Sequence, residues 1–359
     1  PTLKPLTPRM GLAESTASCE CGELGPAVKP RLRVGCAVGV SEAPVQFAIV
    51  QQSNIDSLPF HLHWVKCPPD ADAVLAMLGA GLLDVAILHT EDVVQAVTGG
   101  SSLRICGTYT SSRRCFGLYI PNQKKGEGQE LLLSPCGLLN NSCGSQLALH
   151  ILGQEREWRT QGGFYLRQLS SLEAAKTALA NGRVQGVLWE RHLAFECVSS
   201  GEWVELWETT LPWSSALFVS TRDSAYAKSK SIQSFVQWTR TSSEDFLEAD
   251  AAEGAGQMLA NSYHLNGVAV LAWLSSVRWW CRCEVLRSDL TEAFRHLIFA
   301  NMVQSGVHPA KNVAKSFCEL LEASQLEGSS SSRLSREAPY LEEGQKLGSP
   351  TGPESLDEW

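Results

Sequence analysis

Two stretches decide how this chain folds: AVLAMLGAGLLDVAILHTE (residues 73–91) and SLEAAKTALANGRVQGVLWE (residues 171–190). Each reads as a helix, a glycine stop, a buried strand and a carboxylate. In the first, Val74, Met77 and Leu78 fall at helical spacing. In the second, Leu172, Ala175 and Leu179 do, and Ser170 with Glu173 has the form of a capping box. Gly81 and Gly182 end the helices. The apolar runs from Val85 to Leu88 and from Val184 to Leu188 suit parallel strands covered on both faces. Ligands of open α/β sheets sit beyond the carboxyl ends of such strands. Two equivalent units in one chain therefore predict two α/β lobes that offer their strand ends to a shared cleft.

Working outward, Leu32, Val34, Cys36 and Val38 alternate as a strand, and Pro44 suits the first turn of a helix continued by Val45, Ala48 and Ile49. Phe60 to Val65 and Leu103 to Tyr109 supply further strands on either side of the first repeat. Phe116 to Ile120 reads as a strand leading into a second lobe, followed by the polar loop NQKKGEGQE. There, Gly137 to Leu139 end a strand, Gln146 to Leu152 continue as a helix, and Phe164 to Gln168 give another strand. The run EWVELWETTLPWSSALFVS holds two extended segments separated by Pro212, after which the chain reads as helical to about Leu321. That order predicts a return to the first lobe. The expected organisation is a disordered extension over 1–30, a discontinuous first lobe from 31–115 and 208–322, a second lobe over 116–207, and a disordered acidic tail over 323–359.

Composition narrows the function classes. At 359 residues and 44% hydrophobic, the chain has room for two ordinary domains with a substantial core. Of the net charge of −8, the tail beyond Glu322 supplies about −4, leaving a mildly acidic body. No basic stripe is present to track a phosphate backbone, so nucleic acid is not an expected partner. The 12 cysteines are scattered through a chain long enough to need no staples, which predicts reduced thiols. Cys19 with Cys21, and Cys281 with Cys283, are spaced too tightly for an ordinary zinc hairpin, and His61 with His63 lack an evident third ligand, so no metal is expected. The apolar stretch from Ala73 to Leu88 contains Gly79, Gly81 and Asp84 and is too short to span a bilayer. The first thirty residues do not resemble a secretory signal, and the expectation is a soluble, cytoplasmic, monomeric protein.

The candidate site residues follow from the lobe architecture. Ser142, Cys143, Gly144 and Ser145 precede a helix, where free amides and the helix dipole attract anionic groups. The pattern is not a Walker loop. Thr90 and Glu91 close one repeated strand, and Trp189 and Glu190 the other: carboxylates for an amine or amidine, an indole as a flat wall. Trp213, beside Pro212 at the return crossing, and Ser41 and Glu42 in the first loop complete the set. His89 is read as lining the cleft without catalysing, because no nucleophile motif accompanies it.

These residues together resemble the type 2 periplasmic-binding-protein superfamily. The likeness is to the group that holds alkanesulfonate-, nitrate- and taurine-binding proteins and thiamine-pyrimidine synthases, nearest to its stand-alone fungal and algal branch. The resemblance rests on LDVAI followed by Thr90-Glu91, Gly144-Ser145, LWE at 188–190, SGEW at 200–203, Pro212-Trp213 and WLSSVRW at 273–279. It covers about residues 32–308. It implies two α/β lobes, each with a mixed, mostly parallel sheet flanked by helices, joined by two crossings and closing on a small ligand. By the same resemblance Thr90, Glu91, Ser145, Trp189, Glu190 and Trp213 match cleft positions. Two loops depart from the pattern: CAVGVSEAP, where relatives carry larger polar and aromatic residues, and PPDADA, where they carry a glycine-threonine-glycine turn. Asp70 and Asp72 in the second would repel an anion.

The leading expectation is a non-enzymatic small-molecule-binding protein, without cofactor, closing its lobes over an organic ligand that is sulfonate-, carboxylate- or pyrimidine-like. In it, a negatively charged end would sit near Ser145 and a ring near Trp189. Two alternatives stand beside it. One is a pyridoxal-dependent pyrimidine synthase, which the isolated Cys136 and Cys143 do not favour. The other is a scaffold that meets protein partners through its helical end or acidic tail.

Overall fold

The computed structural model describes residues 29–124, 135–139, 143–158, 164–250, 254–263, 265–304 and 307–322. The readings made on the N-terminal extension up to residue 28, on most of the NQKKGEGQE loop, on Ser142 and on the acidic tail lie outside the described residues.

The chain begins with β1 (Arg31–Cys36), α1 (Ala43–Val50), β2 (His61–Trp64), α2 (Ala71–Gly79), β3 (Val85–His89), α3 (Thr90–Thr98) and β4 (Leu103–Thr110). It crosses to a second sheet through β5 (Cys115–Pro121), β6 (Cys136–Leu139), α4 (Cys143–Glu155), β7 (Leu166–Leu169), α5 (Leu172–Ala180), β8 (Gly186–Glu190), α6 (Arg191–Ser199) and β9 (Trp203–Thr210). A second crossing returns it through β10 (Ala216–Thr221), α7 (Arg222–Ala227), α8 (Ser229–Asp250), α9 (Gly254–Tyr263), α10 (Gly267–Ser276), β11 (Trp279–Arg282), β12 (Glu284–Leu286), α11 (Arg287–Phe299) and β13 (Glu319–Leu321).

The two large sheets repeat one topology. In the first the order is β11-β4-β10-β3-β1-β2, and in the second β7-β6-β8-β5-β9. Three parallel strands (β2, β1, β3 and β7, β6, β8) are followed in each by one antiparallel strand that has just crossed over, β10 or β5, and then by β4 or β9. This is a two-lobed α/β fold in which each mixed sheet is flanked by helices. The central strands are apolar throughout, Val85 to Leu88 and Val187 to Trp189 being buried, as strands covered on both faces require.

The internal repeat is closer than its sequence shows. Every boundary of the second unit falls 101 residues after its counterpart: the caps Asp70 and Ser171, α2 and α5, β3 and β8, α3 and α6. Gly81 and Gly182 both adopt positive φ (68° and 63°), as do Gly100 and Gly201 (96° and 74°), each just past a helix end. Three readings are corrected here. The cap of α5 is Ser171, whose side chain accepts from Ala174 N, one residue later than the capping box placed it. The repeated strands do not end the unit but run straight into α3 and α6. The segment after β10 is not wholly helical, since β11 joins the edge of the first sheet beside β4.

Candidate functional site

The carboxyl ends of both sheets and the loop before α1 surround a cavity of about 950 Å³, at the upper end for small-molecule sites. The first lobe contributes the Ala37–Ser41 loop, Asp70, His89 and Asp92, and the second contributes Ser170, Glu190, His192 and Leu193. Arg113 and Arg114 of the first crossing and Ser215 of the second also line it. Helices α9 and α10 close the far side with Tyr263 and Trp273. There α10 packs against α6 of the second lobe. The Trp273 and His192 rings lie 5.6 Å apart, and Leu193 joins a cluster with Phe246, Val270 and Leu274. The lobes thus meet at both ends of the cavity.

A buried ion network reaches the cavity through Arg114 and Glu190 and extends behind its wall to Glu91 and Trp213. Arg114 Nη1 donates to Glu91 Oε1 at 2.5 Å. Its Nε donates to Glu190 Oε1 at 3.1 Å, and its Nη2 contacts the same oxygen. The second oxygen of Glu91 accepts from Trp213 Nε1 at 3.0 Å. Glu91 belongs to the first lobe, Glu190 to the second, and Arg114 and Trp213 to the two crossings, so one guanidinium ties both halves to their connection. A Cβ on Gly144, at the start of α4, would collide with Glu91 Oε1 and Arg114 Nη1, which explains why glycine stands there.

Charge states follow from this geometry. Burial disfavours the charged form of Arg114, but Glu190 and Glu91 outweigh it and hold the guanidinium charged. Burial likewise works against ionised Glu190, and the Arg114 charge overcomes it, bringing that carboxyl down to about 2. His89, whose Nδ1 lies 3.2 Å from Ser215 O, is lowered to about 4 by burial and then by Arg114, so it is neutral at pH 7. Burial also lowers His192. Asp92 goes the other way: burial, then Glu91 beside it, pushes its carboxyl well above the usual range.

The structure places the expected site residues in two groups. Ser41 and Glu190 line the cavity, and Ser41 also anchors the loop before α1, its carbonyl accepting from Tyr109 Oη and Trp279 Nε1. His89 lines it as well. Glu42 stands one layer back, accepting from Tyr263 Oη at 3.1 Å and from the Cys36 thiol. Thr90, Glu91 and Trp213 are fully buried at the crossings, with Thr90 Oγ1 donating to Ser214 O at 2.5 Å. Cys143, Gly144 and Ser145 are buried in the first turn of α4 and do not reach the cavity surface. Trp189 is packed in the second-lobe core with Tyr119 and Trp203. Neither Ser145 nor Trp189 is among the residues lining this cavity, and the tryptophan that lines it is Trp273. Arg114, Asp92, His192 and Trp273 were missed. The Arg113-Arg114 pair between two strands of opposite lobes was the available signal, since two carboxylates converging on one cleft require a cation.

Among the described residues, no group of three or more His, Cys, Asp or Glu is arranged to hold a metal ion, and no helix is long and apolar enough to cross a membrane.

The architecture is that of the periplasmic-binding-protein fold, and comparison with solved structures shows it. The Candida albicans CA3427 gene product, described as defining a new family with the generic periplasmic binding protein fold, superposes with a TM-score of 0.67 at 17% identity, covering 81% of this chain and 98% of its own. The alkanesulfonate-binding protein SsuA of Xanthomonas axonopodis pv. citri, bound to MOPS, gives 0.64 at 18% identity over 83% of this chain and all of its own (100%). The periplasmic aliphatic sulphonate binding protein SsuA of Escherichia coli gives 0.66 at 15% identity over 80% and 98%. No model of a known protein family and no curated protein matches the sequence.

Proposed function

We propose that this chain is a solute-binding protein that holds one small organic molecule between its lobes. The observation that carries the reading is the cavity itself: both sheets, both crossings and α10 line it, so a guest there touches every part that moves when the lobes separate. A ligand favours the closed arrangement only through such two-sided contact. The likeness in fold to sulfonate-binding proteins supports binding as the activity. Among the described residues lining the cavity there is no lysine for a pyridoxal Schiff base. Burial raises the Cys115, Cys136 and Cys143 thiols, which opposes the thiolate a nucleophilic cysteine needs. Both points favour binding over the pyrimidine-synthase alternative.

A thermal-shift screen across sulfonates, carboxylates, amines and pyrimidines tests the reading. A ligand at a hundred times its dissociation constant adds about 2.7 kcal/mol of stability. The expected result is a shift with one class that is lost in Trp273→Ala. No shift with any class would favour the scaffold alternative.

A further inference from the structure

The first-lobe corner of the cavity carries an acid without a partner. Asp92, the third residue of α3, is 7% exposed and opens its carboxyl onto the cavity, where no described residue donates a hydrogen bond to it. Buried polar groups are nearly always paired, and one left unpaired beside a hollow marks where an outside partner belongs. The charged and titratable groups around it are Glu91 on its own helix, Asp70 and Asp72 at the start of α2, Cys143 at the start of α4, and Arg114 from the crossing. The single cation among them is spent, since the Arg114 fork is held by Glu91 and Glu190. An anion at this corner would meet four carboxyl groups. A cation would meet Asp92, the one buried carboxyl of the four that takes no donor from a described residue.

Resting on the binding function above, we propose that Asp92 anchors the positive end of the ligand, which is a small organic cation of the amine or amidine class with a flat body facing Trp273. An indole face stabilises such a body, and the carboxylate takes its N–H donors as charge-assisted hydrogen bonds. Burial and the neighbouring Glu91 charge hold the Asp92 carboxyl above its usual range, and a cation beside it favours the carboxylate, so its arrival is coupled to proton release. Binding therefore strengthens as pH rises, whereas an anion accepted by a neutral Asp92 would bind more tightly as pH falls.

Calorimetric titration of the full chain with three probes of one shape tests this: benzamidine (cationic), benzamide (neutral) and benzoate (anionic). Benzamidine is expected to bind at least about tenfold more tightly than benzamide, with benzoate silent to millimolar concentration. Its heat should vary with buffer ionisation enthalpy in the sense of proton release. Asp92→Asn, nearly isosteric, should bring benzamidine to the level of benzamide and leave benzamide unchanged. Benzoate or benzamide binding as tightly as benzamidine, or a lead of benzamidine that survives Asp92→Asn, would overturn the cation anchor and leave the binding cleft standing. No heat and no tryptophan fluorescence change with any of the three would overturn both.

Discussion

The two repeated units have one scaffold and opposite chemistry. At a constant offset of 101 residues, His89, Glu91 and Asp92 of the first lobe correspond to Glu190, His192 and Leu193 of the second. Histidine and acid have exchanged places. Both exchanged carboxylates still reach one Arg114, because that residue lies on the crossing between them. The third position differs outright: Leu193 packs across the cleft against the α9–α10 region, while Asp92 is left facing the cavity. At these three positions the first lobe brings His89 and Asp92 to the cavity, and the second brings Glu190, His192 and an apolar clasp. The two strand-end carboxylates share one buried guanidinium, and of the two Glu190 also lines the cavity, as Asp92 does beside Glu91.

The largest effect comes from removing the shared cation. Arg114→Met leaves Glu91 buried with one donor fewer, and loss of one member of a buried ion group costs about 3–5 kcal/mol. Denaturant unfolding should show that loss, and Arg114→Met combined with Glu91→Gln and Glu190→Gln should recover most of it. Equal loss in both variants would mean that charge is not what Arg114 supplies. Gly144→Ala pushes a methyl group into the same lock and is expected to cost about 1–3 kcal/mol, measured the same way. Trp213→Phe removes the indole donor to Glu91 together with part of a fully buried ring and should cost about 1–3 kcal/mol.

Acid titration separates His89 from Glu190. His89 is lowered from its ordinary value to about 4, so its contribution is complete above about pH 6.5 and lost as pH falls toward 4, where the unfolded chain takes up the proton first. Glu190, at about 2, contributes fully above its ordinary value and loses that contribution only below it. Melting temperature should therefore fall in two stages on acidification, and His89→Asn should flatten the first. Asp92 has the reverse sign: raised by burial and Glu91, its contribution is present in acid and lost as pH rises. Asp92→Asn, the mildest of these changes, should raise the melting temperature by a few degrees at pH 7, with the gap closing toward pH 4. An unchanged gap would show that Asp92 is not crowded.

What was legible in the sequence was whatever local pattern decides. The helix–glycine–strand units and the extended segments at Phe116 to Ile120 and around Pro212 could be read because apolar runs and glycine stops report backbone geometry directly, whereas the two crossings followed from the family resemblance. Helices α3 and α6 escaped notice because they begin at once after a strand, behind His89 and Glu190, which make no side-chain cap. Strand β11 was hidden because its register is set by β4, far away in sequence. The site was harder for the same reason. Glu91 and Glu190 were found as strand-end carboxylates, yet their roles depend on Arg114, and which side of a strand end faces the hollow is decided by packing between lobes. Trp189 and Trp273 were equally plausible walls as residue types, and only the second-lobe core distinguishes them.

Native mass spectrometry of the freshly purified chain tests most directly whether one guest is gripped by both lobes. The account predicts a non-covalent small-molecule adduct at one per chain. It should be lost equally in Ser170→Trp, which fills the cavity from the second lobe, and in Ala272→Trp, which fills it from α10. An adduct that survives both substitutions, or that only one of them removes, would contradict it.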